Sequence, residues 1–370
     1  MRDVRTRRPD ISTRAAIRYT KYATHGVRRI SQEARSIKEA ALASQPLRLK
    51  LAVADNSHVA AVRNGAIPIK GVDAQFVDVV PQIAAYRRMV RDLEFDVCEL
   101  APTTYVIALA YGAPFVALPI FLARAFHHGG LLVRPDSGIR APRDLEGRKV
   151  GVRAYSVTTG AWTRGILSDE YGLDASRVTW VVDDEEHVTQ MKLPPNVIHA
   201  PAGSSLVEMM AKGEIHAGFA GNAGLGRSGA PTSGWEANRI SPSQDYPELF
   251  PNARELEAAW FRKTGVYPMH GTIVVKERVL KENPWVARSL FDAFQQAKED
   301  WLPRMRSGEA TSANDRKNRA LMDIVGQDPL PYGMKANMPT IEALERMAWS
   351  QKLIPRRMTI DELFIDPLAL

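Results

Sequence analysis

Hydrophobic and polar residues alternate along the chain in short segments whose period changes between two and about 3.6 residues. Leu47–Val53 alternates apolar and polar side chains, which predicts a strand. Gln82–Leu93 repeats its apolar residues at helical spacing behind Pro81, a residue favoured at helix starts. The same patterns predict strands at 71–80, 95–100, 115–121, 130–134, 149–152, 178–182, 215–220 and 271–276, and helices at 102–111, 156–171, 205–212, 284–302 and 340–351. This alternation indicates an α/β fold with largely parallel sheets.

The excess positive charge is confined to the start of the chain. The 370 residues carry a formal net charge of +7, and residues 1–45 hold eleven Lys and Arg side chains against four acidic ones. Residues 46–370 therefore hold 38 basic and 38 acidic groups. A neutral body predicts neither nucleic acid nor a membrane surface as a partner. We interpret residues 1–45 as a basic, poorly ordered N-terminal extension, although an Arg-rich, acid-poor segment also resembles a transit peptide.

Composition excludes several other classes of protein. A hydrophobic content of 45% is too high for a disordered chain. The best apolar run, Tyr105–Pro119, is broken by Gly112 and Pro114, and residues 1–45 lack the continuous apolar stretch of a secretory signal. We therefore expect a cytoplasmic protein. The single cysteine, Cys98, excludes an intramolecular disulfide framework and a Cys-based zinc site.

Polar side chains follow several predicted strands, at the ends where open α/β sheets bind ligands. The candidate binding residues at these strand ends are Asp55, Thr103, Thr104, Arg153, Ser156, Thr158 and Thr159. Two of the segments place hydroxyl groups where a helix begins, and a helix N-terminus attracts anions. Ordinary N-capping explains each segment by itself. Their equivalent positions in two units predict a carboxylate site in a cleft between them.

Histidines provide candidates for proton transfer. His127 and His128 are adjacent, so at most one of them faces a cleft if the segment is extended. Arg124 precedes them, and His270 lies at another junction of predicted elements. An imidazole, an acid such as Glu99 and an arginine suit proton transfer on an anionic substrate, or a divalent metal. Satisfied structural histidines are the alternative, since the spacing matches no compact metal motif. The chain also lacks a P-loop and a Gly-x-Ser-x-Gly elbow.

Eight longer segments together resemble one family. They are Leu49–Asp55, Glu94–Leu100, Phe121–His128, Asp136–Val152, Ala161–Gly172, Asn283–Leu290, Asp328–Gly333 and Ile354–Phe364. Over about residues 47–366 the chain resembles the 4,5-dihydroxyphthalate decarboxylase family, which has the type 2 periplasmic-binding-protein fold. The resemblance implies a two-lobe α/β fold with the ligand in the interlobe cleft. Lobe one is then expected at 46–128 plus 268–370, and lobe two at 129–267.

The implied reaction is the non-oxidative loss of CO2 from an aromatic dicarboxylate, most simply from 4,5-dihydroxyphthalate to give protocatechuate. The resemblance implies no cofactor, although a divalent metal remains compatible with it. We expect His128 to act as the acid or as a metal ligand, with Glu99 orienting it. His270 is a further catalytic candidate.

The substrate-binding candidates are chosen for an aromatic dianion. Arg124, Arg153 and the two helix N-termini suit its carboxylates. Trp162 either stacks on the ring or packs as a core tryptophan. The partner is then a small aromatic carboxylate, and the sequence predicts no particular oligomeric state.

Three other functions are compatible with this fold. The main alternative is a solute-binding protein that captures a small carboxylate for an ABC transporter. A thiamine-pyrimidine precursor enzyme is disfavoured because those enzymes carry a cysteine cluster, whereas this chain has Cys98 alone. A menaquinone-pathway enzyme that acts on a chorismate-derived acid is the third.

Overall fold

The computed structural model describes residues 45–226 and 245–369. The extension predicted at residues 1–45 lies outside the described residues apart from Gln45. So do residues 227–244, which continue the glycine-rich segment that begins at residue 221. The described residues from Arg48 onward cluster as one compact unit. Within the described residues, no helix is long and apolar enough to cross a membrane.

The described strands form two sheets of five strands each. Those of the first sheet are β1 (Leu47–Ala52), β2 (Val72–Phe76), β3 (Val97–Leu100), β4 (Phe115–Arg124) and β10 (Met269–Lys276). Those of the second are β5 (Leu131–Val133), β6 (Lys149–Val152), β7 (Thr179–Val182), β8 (Val197–His199) and β9 (Ala217–Phe219). The strand orders are β2-β1-β3-β10-β4 and β5-β9-β6-β7-β8.

Both sheets are mixed, with most connections of the α/β type. In the first sheet β1 is parallel to β3, while β10 is antiparallel to both β3 and β4. In the second sheet β6 is parallel to β7 and β9, and β7 is parallel to β8, whereas β5 is antiparallel to β9. The predicted parallel pairing therefore holds for the inner strands of the second sheet, and β10 interrupts it in the first.

The helices connect the strands and cover the sheets. They are α1 (Ala60–Arg63), α2 (Gln82–Asp92), α3 (Pro102–Ala110), α4 (Thr158–Tyr171), α5 (Leu206–Lys212), α6 (Ala253–Thr264), α7 (Glu277–Glu282), α8 (Trp285–Ser307), α9 (Ala313–Val325), α10 (Met334–Ser350) and α11 (Ile360–Leu363). Short 3-10 turns lie at Pro135–Ser137, Pro142–Leu145, Ala175–Arg177 and Gly221–Ala223. The burial of α8 follows its sequence, because apolar residues three and four apart fall on one helical face. Val286, Leu290, Phe294, Ala297 and Trp301 are all buried on it.

One turn of α4 contacts both segments in which the chain crosses between the sheets. The chain leaves the first sheet after β4 and returns to it at β10. The indole N–H of Trp162 donates to the carbonyl oxygen of Met269 at 3.2 Å. The hydroxyl of Thr163 donates to the carbonyl oxygen of His127 at 3.1 Å. The start of α4 is thereby fixed against both crossings, and this is where the pocket described next is found.

Candidate active site

A pocket of about 300 Å³ is lined by elements that follow strands of both sheets. This volume lies at the lower end of the range for small-molecule sites. The first sheet contributes residues of α2 and α3 and one residue of β10. The second sheet contributes the segment between β6 and α4, the start of α4, and the segments after β7 and β9. The lining residues are Pro81, Gln82, Ile83, Tyr86, Ala101, Thr104, Arg153, Ala154, Ser156, Val157, Thr158, Thr159, His187, Asn222, Ala223 and His270.

The backbone N–H groups at the start of α4 point to an anion site. Those of the residues just before the helix are already bonded to a carboxylate of the protein, that of Glu186. The carboxylate of Glu186 accepts hydrogen bonds from the backbone N–H groups of Tyr155 at 2.7 Å and Ser156 at 3.2 Å, and from the Ser156 hydroxyl. The N–H groups of the first turn, Thr158–Gly160, have no hydrogen-bond partner among the described residues. They remain available to a ligand carboxylate.

Arg153 supplies a buried positive charge beside this helix start. Its guanidinium donates to the carboxylate of Asp184 at 3.1 Å, and its Nε has no partner among the described residues. The other oxygen of Asp184 accepts from Arg87 of α2 at 2.8 Å. Asp184 therefore joins the arginine of the pocket to the helix that forms the opposite wall.

His187 lines the pocket from the first half of the loop between β7 and β8. Its Nδ1 is 3.1 Å from the hydroxyl oxygen of Thr104, and the ring of Tyr86 packs edge-on at 6.3 Å. Its Nε2 is buried without a partner among the described residues. Burial, and then the charges of Arg153, Arg87 and Arg91, hold the pKa of His187 well below its ordinary value, so the imidazole is neutral near pH 7.

His270 brings a second imidazole to the pocket from β10. Its ring lies 5.4 Å from the ring of His127, and its Nδ1 has no partner among the described residues. Burial, followed by the charge of Lys317, lowers the pKa of His270 from 6.5 to about 4. Burial also lowers the pKa of His127. Both rings are therefore neutral in the protein near pH 7.

Glu99 lies behind the pocket wall as a buried carboxyl group. One of its oxygens accepts a hydrogen bond from the Ala54 N–H at 3.1 Å. The other lies so close to Gly271 that a methyl group on that glycine would be 2.5 Å away. Burial raises the pKa of Glu99 above its ordinary value, and no ion pair to it is found among the described residues. This environment favours the protonated form.

The structure assembles six of the residues predicted from the sequence and misses others. The predicted residues that line the pocket are Thr104, Arg153, Ser156, Thr158, Thr159 and His270. Thr103 lies just behind them, where its hydroxyl contacts the carbonyl of Ser156 at 2.8 Å and the hydroxyl of Thr158 at 2.7 Å. Sequence reasoning overlooked Tyr86, His187 and Asn222. His187 follows the predicted strand at 178–182, so the strand-end rule contained a signal for it.

His128 requires a correction. It does not line the pocket, because it packs against Tyr171, Phe250 and Trp260 at ring distances of 5.6–6.4 Å. The expectation that the two adjacent histidines diverge is met, since His127 packs on His270 instead. Burial lowers the pKa of His128 to about 4, and neither ring nitrogen has a partner among the described residues.

Arg124 and Trp162 also lie outside the pocket lining. Arg124 is buried and its guanidinium donates to the carbonyl oxygens of Tyr267 at 2.6 Å and Pro331 at 3.2 Å, and to the side chain of Asn337. These contacts secure the C-terminal segment rather than a ligand. Trp162 is a core residue whose indole N–H donates to the Met269 carbonyl, which agrees with the interpretation of a packed core tryptophan and not with ring stacking.

Neither Asp55, predicted to bind substrate, nor Glu99, predicted to orient His128, lines the pocket. The side chain of Asp55 is exposed and lies 3.6 Å from Arg63 Nε, and the neighbouring Ser57 hydroxyl donates to Asp315 of α9 at 2.9 Å. Asp55 does not line the pocket. Glu99 lies behind the lining, and the structure places it against Ala54 and Gly271 rather than His128.

The metal site considered at His128 and Glu99 is not assembled among the described residues. In residues 45–226 and 245–369 no group of three or more His, Cys, Asp or Glu side chains is arranged to hold a metal ion. The pocket instead combines a buried arginine, a helix start and two neutral imidazoles. Such a set binds a carboxylate and moves protons.

Three comparisons with known proteins bear on this pocket. Residues 71–230 match the family model "ABC transporter, phosphonate, periplasmic substrate-binding protein". A 4,5-dihydroxyphthalate decarboxylase from Comamonas testosteroni is 30% identical over 330 residues, which cover 86% of this chain and 96% of that protein. Another from Pseudomonas putida is 36% identical over 179 residues, covering 46% of this chain and 69% of that protein.

Solved structures of solute-binding proteins share the fold. The periplasmic aliphatic sulphonate binding protein SsuA of Escherichia coli has a TM-score of 0.50 at 12% identity, covering 88% of this chain and 93% of its own. A putative periplasmic sulfonate-binding protein from Methylobacillus flagellatus KT has a TM-score of 0.51 at 14% identity, with coverages of 88% and 94%. At these identities the likeness shows the fold alone, and it confirms the predicted two-lobe periplasmic-binding-protein-like architecture.

Proposed function

Because the chain belongs to the 4,5-dihydroxyphthalate decarboxylase family, we propose that it converts 4,5-dihydroxyphthalate to protocatechuate and CO2 in the pocket between its two sheets. The observation that carries the proposal is the convergence of Arg153, the free first turn of α4 and two imidazoles on one small pocket. The ligand is then a small aromatic dicarboxylate. The cytoplasmic location stays a prediction.

Arg153 and the first turn of α4 bind the carboxylates of the substrate. Both are buried, so a charge-assisted hydrogen bond there is stronger than one in water. The hydroxyls of Ser156 and Thr158 already donate to Glu186 and Thr103, which leaves the Thr159 hydroxyl and the N–H groups of Thr158–Gly160 for the ligand. A dianion can thus bind through these local groups, although residues 46–370 carry no net positive charge.

The reaction needs one proton for the carbon that loses CO2. The bond between the ring carbon and its carboxyl group breaks, and the electron pair stays on the carbon and forms a bond to that proton. A hydroxyl para to this carbon supplies the electron density that makes it basic. CO2 leaves as the ring regains aromaticity, and the acid recovers its proton from solvent.

His270 is our choice for the acid, in place of His128. It lines the pocket, whereas His128 does not. Burial keeps His270 neutral in the free protein, with its pKa at about 4. The two negative charges of a bound substrate raise that pKa, because an opposite charge favours the protonated imidazole. Proton uptake is thereby tied to substrate binding.

The experiment is turnover of 4,5-dihydroxyphthalate by the purified full chain, with protocatechuate quantified by liquid chromatography and CO2 trapped in parallel. Separate reactions contain a chelator, Mn²⁺, Zn²⁺ or Mg²⁺, because the metal requirement is a separate question. Arg153→Gln removes a proposed carboxylate ligand and should lower turnover, and Arg177→Gln, at an exposed arginine, is its matched control. Protocatechuate in equal amount to the CO2 supports the proposal. Tight binding of the diacid without turnover in any reaction instead establishes a solute-binding protein, the function of the sulfonate-binding structures that share this fold.

A further inference from the structure

The segment Asp184–His187 is anchored at every residue by the two walls of the pocket. Asp184 accepts hydrogen bonds from both Arg87 and Arg153. The backbone carbonyl of Glu185 accepts from Arg87 at 3.3 Å, and the carboxylate of Glu186 caps the segment before α4.

Arg91 completes this anchoring. It donates to the carbonyl oxygen of Glu186 at 2.9 Å and to that of His187 at 3.3 Å. The histidine at the end of the segment therefore sits on backbone that is held in place by contacts from α2 and from the residues between β6 and α4. A side chain that must meet a reacting atom needs this kind of support.

The ring of His187 is oriented as well as its backbone. Thr104 contacts Nδ1, and Tyr86 packs on the ring edge, so Nε2 is the ring atom left without a partner among the described residues. His187 is 4% exposed and lines the pocket. Leaving a buried ring nitrogen unpaired costs free energy, which a ligand with a suitable polar group recovers.

We propose that Nε2 of His187 binds the ring hydroxyl para to the departing carboxyl group and accepts its proton as the para carbon is protonated. This inference rests on the proposed function and assigns a residue to a substrate group. Arg153 and the first turn of α4 already meet the carboxylates, so a neutral imidazole with an unpaired nitrogen is matched to the other polar group of the substrate, the phenol.

The proton balance of this step closes without another reactant. As the para carbon accepts a proton from the acid, the phenol O–H becomes strongly acidic, its bond breaks and its proton moves to Nε2. The bond from that carbon to the carboxyl group then breaks, CO2 leaves, and the electron pair returns through the ring to the oxygen. The product phenolate then recovers its first proton from His187. Thr104 acts as a positioning residue, because it holds Nδ1 and not the substrate.

Two ligands separate recognition of the hydroxyl from recognition of a carboxylate. Protocatechuate carries ring hydroxyls, whereas phthalate has the two carboxylates and no hydroxyl. His187→Asn keeps an amide near the position of Nδ1 and removes Nε2. We expect it to weaken protocatechuate binding at least 10-fold, to leave the Kd of phthalate within threefold, and to lower kcat at least 100-fold. His199→Asn, at an exposed histidine on β8, is the matched control.

A spectroscopic measurement provides a readout besides activity. Bound protocatechuate should absorb at longer wavelength than the free ligand at the same pH, because its hydroxyl donates a hydrogen bond to the neutral Nε2 of His187. His187→Asn should abolish the shift. Thr104→Val should reduce both the shift and kcat, and Thr104→Ser, which keeps the hydroxyl, should recover most of the loss.

Two results would overturn the inference. One is an equal loss of affinity for phthalate and protocatechuate in His187→Asn, which would assign His187 to a carboxylate. The other is a folded His187→Asn protein with unchanged kcat, as checked by circular dichroism. If the wild-type chain itself shows no turnover, the proposed function fails, while the ligand comparison still reports which group His187 binds.

Discussion

The hydroxyl oxygens of Thr103 and Thr158 lie 2.7 Å apart, and both residues are buried. They stand in the first turns of α3 and α4, so a single contact joins a helix that follows the first sheet to one that follows the second. Thr103 also contacts the carbonyl of Ser156 at 2.8 Å. The two walls of the pocket are therefore bonded to each other directly beneath its lining.

Thr103→Val should weaken this join. The isosteric change leaves the Thr158 hydroxyl and the Ser156 carbonyl without these contacts, at a cost of about 1–3 kcal/mol in the free energy of unfolding. We also expect weaker binding of phthalate, since the walls are held together less firmly. Urea denaturation and calorimetric titration measure the two effects. Thr103→Ser keeps the hydroxyl as the control, and equal stabilities for the two variants would contradict the argument.

Arg153→Gln should weaken binding of phthalate by about 10- to 100-fold, the equivalent of losing one hydrogen bond to a charged group. Arg177→Gln removes an exposed arginine that pairs with Glu146 on the second lobe, and it should change the Kd less than twofold. Calorimetric titration of both variants at the same ionic strength gives the comparison. Similar affinities in the two variants would remove Arg153 from the binding site.

Gly271→Ala should destabilise the protein through Glu99. The added methyl group would lie 2.5 Å from a Glu99 oxygen, so the buried carboxyl group has to move. Overpacking of this kind costs about 1–3 kcal/mol. The same substitution in a Glu99→Asp background should cost less, because aspartate is shorter by one methylene group. Denaturation of all four proteins tests this, and an identical cost in both backgrounds would exclude a contact with Glu99.

His128→Phe should make the protein more resistant to mild acid. Burial lowers the pKa of His128 from 6.5 to about 4, so between these values the unfolded chain binds a proton that the folded one does not. Stability therefore falls as pH falls from about 6.5 to 4, by no more than about 1.4 kcal/mol per pH unit for this one group. Phenylalanine fits among the aromatic neighbours of His128 and has no group that binds a proton in the unfolded chain. Urea denaturation at pH 7.5 and pH 5 should show a smaller difference in His128→Phe than in the wild type.

The order of elements was largely predictable because most of them carry a local pattern. β1 alternates apolar and polar residues, and α2 begins at the predicted Gln82. β8 was missed within a segment rich in Pro and Gly, since it is a strand only through its pairing with β7, where Val197 lies opposite Trp180. Long-range pairing of this kind leaves no signal in the segment itself.

The site was predictable only in part for the same reason. Arg153 and the hydroxyls before α4 were found because they follow a strand, and that rule depends on local order alone. Arg124 was misassigned because its partners Tyr267 and Asn337 are more than a hundred residues away in the chain. The choice between His127 and His128 depended on which face of the segment meets β10, and no local pattern contains that information.

One turn of α4 holds both crossing segments, because Trp162 donates to Met269 and Thr163 donates to His127. The two segments that connect the lobes are therefore hydrogen-bonded to neighbouring residues of the same helix. If one lobe rotated about this point, the first residues of α4 would move little, because they lie next to these two contacts. The carboxylate-binding end of the pocket would then keep its geometry, whereas moving α2 away would break the contacts of Arg87 and Arg91 with the loop after β7.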